Sequence, residues 1–306
     1  MIKHATLRQL KVFEAVARNL NFTRAAEELH TTQPTVSIQL KQLSELVGVP
    51  LVDRIGKKIY LTGTGHLMYE ASRDVLDRLD QLVNDIDESQ GLTRGSLKLS
   101  IVTTAKYFVP RLLGSFYGLH PGIEVTLEVV NRDQILERIG QNLDDLYIMG
   151  LAPEHLGVTS LPFMENPLVM VAAADHPLAL EQDIDPARLA NEPFIMREQG
   201  SGTRLAAESF FRRENVKVNV RMTLGSNEAI KQSVVGNLGL AVLSKHTLAL
   251  DHASGAFAIL DVKGFPLSRQ WYAVYPTEKH ISTVARAFLE YIAKKGGVDG
   301  DQKISA

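Results

Sequence analysis

Apolar positions recur along the first fifty residues at spacings of three and four. Leu7, Leu10, Phe13, Val16 and Ala17 mark one face of a first helix. Ala25, Ala26 and Leu29 mark a shorter second one, and Val36, Leu40, Leu43 and Val47 a third. Only a helix places such positions on one side. Thr23 suits the N-cap of the second helix. His30-Thr31-Thr32 forms a polar turn, Pro34 opens the third helix where its missing N–H costs nothing, and Gly48 ends it. The opposite face of the third helix carries Thr35, Ser37, Gln39, Lys41 and Gln42. A hairpin turning at Gly56 follows, with Arg54, Lys57 and Lys58 on or beside the turn.

From Gly65 to about Gln90 neither proline nor glycine interrupts the pattern. Met68, Ser72, Val75, Leu79, Leu82 and Ile86 alternate spacings of four and three, and Leu76 and Val83 widen the stripe. That 3.5-residue period is a coiled-coil seam, which predicts a linker helix pairing with a second copy. A helix packed on its own domain is the alternative, since the repeat is short.

Beyond Gly95 the pattern changes again. Apolar strands are predicted at Leu97–Val102, Ile123–Val130, Leu146–Met149, Leu168–Val171, Phe194–Met196, Val218–Leu224, Leu240–Leu243 and Trp271–Tyr275. Helices are predicted from Ala105 to Tyr117, Asp133 to Gly140, after Gly202, from Glu228, and from Ile281 to Ala293. Strands alternating with helices indicate a parallel α/β sheet. The fold class is therefore α+β and multi-domain: a winged helix-turn-helix over 1–64, a linker helix over 65–91, and a two-lobed α/β domain over 92–306. Lobe I takes about 92–163 and 268–306, and lobe II about 164–267.

Charge sharpens this division. Net charge is −2 over 306 residues, yet residues 1–60 carry +4 and residues 61–90 carry −5. Only the first segment is built to neutralise phosphates. A short helix, a turn and a second helix with a polar first turn is the arrangement that reads base edges in a DNA major groove. Thr23, Gln33, Pro34, Thr35, Ser37, Ile38 and Lys41 form the candidate groove-facing set, Ile38 suiting a thymine methyl. Arg54, Lys57 and Lys58 suit backbone phosphates. The chain has no cysteine, which excludes disulfides, thiolate catalysis and cysteine-bound metal. No signal peptide or long apolar run is present, so a cytoplasmic protein without membrane attachment is expected.

Ligands of open α/β folds bind at the carboxyl ends of strands, near helix N-termini. Three such turns stand out: Thr103-Thr104 with Lys106, the run Ser201-Gly202-Thr203-Arg204 after Gly200, and Ser226-Asn227. Asn131-Arg132 ends the second strand. Converging amides, hydroxyls and cations suit a small anion, phosphate or carboxylate. Thr104, Ser226 and Asn227 equally suit helix caps. The nine histidines are scattered and none pairs with Asp, Glu or Ser in a catalytic spacing, so a binding protein is expected rather than an enzyme, and no cofactor beyond an allosteric effector.

The stretch FTRAAEELHTTQPTVSIQLKQLSELVGVPLVDR resembles the reading head of LysR-type transcriptional regulators. The order of head, linker helix and two lobes resembles that family from about Leu7 to Lys294. The resemblance implies a homo-oligomer on double-stranded operator DNA, a dimer through the linker helix assembled into a homotetramer. It also implies a periplasmic-binding-protein-like effector domain and contact with RNA polymerase. VTTAKYFVPRLLGSF, VVNRDQILERI, DDLYIMG and REQGSGTR are similar to regulators of Calvin-cycle and rubisco operons. That narrower resemblance implies a sugar phosphate, phosphoenolpyruvate, phosphoglycolate or NADPH as effector. In one respect the head departs from the family: Ile38 follows Ser37 where many members carry arginine, so Gln39 or Lys41 is left to make that base contact.

Overall fold

The computed structural model describes residues 4–56, 58–88, 95–249 and 255–296. It divides into two compact units, Met1–Ile86 and Asp87–Ala306. In the first, helices α1 (Leu7–Asn19), α2 (Phe22–Glu28) and α3 (Gln33–Val47) precede strands β1 (Val52–Ile55) and β2 (Lys58–Leu61) and helix α4 (Gly63–Glu88). Each early helix has its own cap. Thr6 and Gln9 exchange side-chain and backbone bonds of 3.2 and 2.9 Å at the start of α1. At α2 the cap is Asn21, whose Oδ1 accepts from the Thr23 and Arg24 amides at 2.9 and 3.1 Å. The expectation for Thr23 is thus corrected: it lies inside the helix, because Asn21 is an equally good cap and comes first. Thr32 caps α3, and Pro34 takes its second position rather than its first. Phe13, Val16, Ala25, Ala26, Val36, Leu40 and Leu43 close a small core, and Arg18 ties α1 to α2 by bonding Glu14 and Glu28.

Helix α4 begins against the hairpin. A side chain at Gly65 would put its Cβ 2.0 Å from the Leu51 carbonyl oxygen, so the approach requires glycine. Met68 and Ser72, expected in the intermolecular seam, are instead only 6 % and 1 % exposed. Met68 fills the head's own core, and the Ser72 hydroxyl donates to the Met68 carbonyl at 2.7 Å. Further along, Val75 and Leu82 stand 42 % and 51 % exposed. The seam therefore splits: its first turns are intramolecular, while Val75 and Leu82 are left exposed. The side chains at Val83 and Ile86 lie outside the described residues.

The second unit holds strands β3 (Gly95–Val102), β4 (Ile123–Val130), β5 (Leu146–Met149), β6 (Val158–Glu165), β7 (Leu168–Ala173), β8 (Pro193–Arg197), β9 (Asn219–Leu224), β10 (Ala241–Ser244), β11 (Phe257–Ile259) and β12 (Gln270–Pro276). Its helices are α5 (Val109–Leu119), α6 (Arg132–Gly140), α7 (Gly202–Arg213), α8 (Asn227–Val235) and α9 (Thr283–Gly296). The predicted helix from Ala105 is broken: a 3-10 turn covers Ala105–Tyr107 and α5 starts at Val109, with Pro110 in its first turn. Strands β6 and β11 have no counterpart in the sequence pattern, β6 because its half-buried run is interrupted by Pro162. Nor are the sheets purely parallel. One sheet runs β4-β3-β5-β12-β6, with β3 parallel to β4 and β5 and β12 antiparallel to β5 and β6. The other lobe pairs β7 antiparallel with β10 and β11, and β8 parallel with β9. Antiparallel strands added late, β12 in the first lobe and β10 and β11 in the second, make both lobes mixed. Separate apolar clusters fill the lobes, one around Leu99, Phe116, Trp271 and Phe288, another around Met170, Phe194, Phe210 and Leu240. The chain crosses between lobes twice, and the crossings are stitched by Asn166 N–H to the Arg269 carbonyl at 2.7 Å and by reciprocal bonds between Leu168 and Leu267.

Candidate functional site

On the head, Gln33, Pro34, Ser37, Ile38 and Lys41 are exposed on the first turns and outer face of α3, while Val36 and Leu40 point into the core. The sequence pattern and the helix agree on which side is free. Thr35 is partly engaged, its hydroxyl 2.8 Å from that of Thr32. Lys41 makes only a 3.9 Å exposed pair with Glu45, so its charge stays available. Ile38 is 55 % exposed, an apolar side chain that no fold requirement explains. In the wing, Arg54 pairs across to Ile59 and Ile55 to Lys58, and both cations are exposed. Lys57 lies outside the described residues. Thr23 is exposed on the first turn of α2.

In the second unit a cleft opens between the lobes. Of the predicted contacts, Thr103, Thr104, Asn131, Arg132, Ser201, Gly202 and Thr203 line it. Two helix N-termini, those of α6 and α7, meet there from opposite lobes. Gly200 makes this possible: at φ +78°, a Cβ would sit 2.4 Å from the Asp133 carboxylate. The Arg132 side chain lies over Gly202, whose added Cβ would stand 3.5 Å from Arg132 Cδ. Thr104 makes no capping bond, unlike Asn131 and Ser201, which cap α6 and α7.

Four predicted contacts do not line the cleft. Lys106 Nζ is held by Glu228 at 2.9 Å. Arg204 bonds Glu208 at 2.7 Å and the Arg197 carbonyl at 2.9 Å, so it braces α7. Ser226 caps α8. Asn227 is buried, its Oδ1 accepting from Arg197 at 2.8 Å. In each case a nearer internal partner takes the polar group that the sequence assigned to ligand.

The sequence reading missed Arg197, Arg269, Asn166 and Trp271, which all line the cleft. Arg197 is 3 % exposed and fully occupied, donating to Glu198 at 2.7 and 2.9 Å and to Thr103 Oγ1 at 2.9 Å. A charged residue closing the apolar strand Phe194-Ile195-Met196 was the available signal. Arg269 and Trp271 flank the second lobe crossing, which no local pattern marks. Arg132 Nε and Trp271 Nε1 are buried without a hydrogen-bond partner among the described residues. No carboxylate side chain is among the lining residues. The cleft encloses about 500 Å³ counting its open mouth. Buried donors without acceptors cost free energy until an acceptor arrives. Chemically the cleft is a cationic, donor-rich slot.

A reading helix with a basic wing, and a separate two-lobed domain with a cationic cleft, define the class of ligand-responsive DNA-binding regulators. Residues 7–66 match the bacterial regulatory helix-turn-helix protein, lysR family, and residues 90–297 match the LysR substrate binding domain. The chain belongs to the LysR family of transcriptional regulators. It is 56 % identical over 95 % of its length, and 94 % of the relative's, to the RuBisCO operon transcriptional regulator of Acidithiobacillus ferrooxidans. It is 53 % identical over 95 % of its length, and 96 % of the relative's, to the transcriptional activator CmpR of a Synechocystis species. Among solved structures, the regulatory domain of CcmR from Synechocystis PCC6803 in complex with 2-PG matches with a TM-score of 0.65 and 48 % identity, covering 67 % of this chain and 99 % of that one.

Proposed function

We propose that this LysR-type regulator controls carbon-fixation genes, including a rubisco operon, and that its effector is a small phosphorylated acid of the phosphoglycolate type bound between the lobes. The observation that carries the reading is the buried, unpartnered Arg132 Nε in a cleft that no carboxylate lines. Arg269 adds a second cation, Thr104 a hydroxyl, and the α6 and α7 N-termini add backbone donors. One cation and one helix end for each of two anionic groups suit a phosphate joined to a carboxylate. Support comes from the rubisco-operon relative and from the 2-PG complex of the 48 % identical domain.

The mechanism follows from linkage. Two heads joined through α4 grip one operator site, and a second pair grips its neighbour. Effector binding favours one arrangement of the lobes, which re-spaces the heads and changes what RNA polymerase meets in the cytoplasm. Only a differential affinity of the effector for two tetramer shapes is needed.

Trp271 lines the cleft and is the single tryptophan of the chain, so its emission reports binding. Titration with phosphoglycolate should give a saturable change, and NADPH none. A second reading is a LysR-type regulator of another pathway with a plain carboxylate effector. Saturation by glycolate or an aromatic acid, with phosphoglycolate silent, would favour it.

A further inference from the structure

Lys106 and Tyr107 of lobe I both reach across to one carboxylate of lobe II. Lys106 Nζ donates to Glu228 Oε2 at 2.9 Å, and the Tyr107 hydroxyl donates to Glu228 Oε1. The Tyr107 ring also faces two ammonium groups, Lys106 Nζ at 5.3 Å on its own lobe and Lys231 Nζ at 5.0 Å on the other. Lys231 is buried and donates to the Thr247 carbonyl at 3.3 Å, so this cation is fixed in lobe II and the ring seats against it. Next to Glu228, Asn227 receives Arg197, which in turn holds Thr103 of lobe I at 2.9 Å. One side of the cleft is therefore tied lobe to lobe by an unbroken set of side chains. Lys106, Tyr107, Glu228 and Lys231 do not line the slot.

The slot is lined from both lobes, so an anion bound there touches both. Whatever holds the lobes together then enters the binding equilibrium, because affinity scales with the fraction of molecules in the arrangement that binds. The geometry points to Lys106, Tyr107 and Glu228 as an interlobe clasp that sets how firmly the cleft closes on its anion, tuning effector affinity through residues that never touch the effector. This rests on the cleft being the effector site, as proposed above. Both oxygens of Glu228 are engaged from the opposite lobe, so removal of either donor loosens the same joint. Burial alone would raise the Glu228 carboxyl, but the bonds from Tyr107 and Lys106 outweigh it and hold it down to about 2, so it meets its partners as an anion.

Two measurements on the full-length chain test the clasp. The chain has no cysteine, so Glu137→Cys on lobe I and Arg212→Cys on lobe II, both exposed positions, accept spin labels cleanly. Tyr107→Phe and Glu228→Gln should each broaden the interlobe distance distribution. Each should also weaken phosphoglycolate binding, read by Trp271 emission, roughly tenfold through faster dissociation. The double variant should be no worse than the poorer single one, because both act on one joint. Lys106→Arg, which keeps a donor, should stay near wild type. Unchanged distances would overturn the clasp, whatever the affinity does. Broadened distances with affinity within twofold of wild type would overturn its role in tuning. If wild type binds no anion while the variants still broaden, the effector reading fails and the mechanical joint stands.

Discussion

Arg132 and Arg197 both line the cleft, yet what each already holds gives them opposite roles. Arg197 is saturated by Glu198, Asn227 and Thr103, whereas Arg132 keeps a buried Nε without a partner. Arg132→Ala should weaken effector binding by about 1.5–3 kcal/mol, roughly ten- to a hundredfold, the value of a charge-assisted hydrogen bond. Operator binding and thermal stability should stay as in wild type, and calorimetric titration beside a thermal melt separates the two. Arg197→Ala strands Glu198 and Asn227, so it should destabilise the second unit by about 3–5 kcal/mol. A melting curve identical to wild type would show that the network carries little weight. Arg204, expected from sequence to bind effector together with Arg132, braces the Arg197 carbonyl, and of the two only Arg132 lines the cleft. The sequence named seven residues of the slot because strand-to-helix turns are local. It missed Arg269 and Trp271 because a chain crossing between lobes is brought to the cleft by tertiary return alone, and it misplaced Lys106 because Glu228 lies 122 residues away.

At the level of elements, periodicity was the reliable guide where a helix has one buried face. α3 shows this, its core positions following from spacing alone and its free face from what remained. The same logic erred at α4. A 3.5-residue seam does not say which partner covers it, and Met68 and Ser72 are covered by the head itself. The exposed part still calls for a cover. Val75→Asp with Leu82→Asp should shift the chain toward monomer by sedimentation while the head keeps its fold, and an unchanged assembly would place the interface elsewhere. In the wing, Arg54→Ala should lower the salt dependence of operator binding by about one unit of slope if it holds a phosphate. A slope equal to wild type would remove the wing from the backbone. Strand order was the least legible feature, since whether β10 and β12 pair antiparallel depends on which strand each meets in the folded lobe and not on its own composition.

On the scale of the whole molecule, the head's charge is separated from the cleft's charge along the chain, so each can be changed without the other. The pairing that closes the cleft is also insulated from physiological pH. A carboxyl depressed to about 2 contributes its pairing above the ordinary carboxylate range and loses it only as pH falls toward 2. The interlobe distance distribution should therefore not change between pH 8 and pH 5, and widening at pH 6 would mean that another group governs closure.

Regulation by this chain rests on one link, between an anion in the cleft and the DNA under the heads. A DNase footprint upstream of the gene, with and without phosphoglycolate, tests it on wild type and Arg132→Ala together. The expected result is a long protected stretch on both proteins that shortens or shifts with phosphoglycolate on wild type alone. A wild-type footprint that ignores phosphoglycolate, or a variant that responds like wild type, would contradict it.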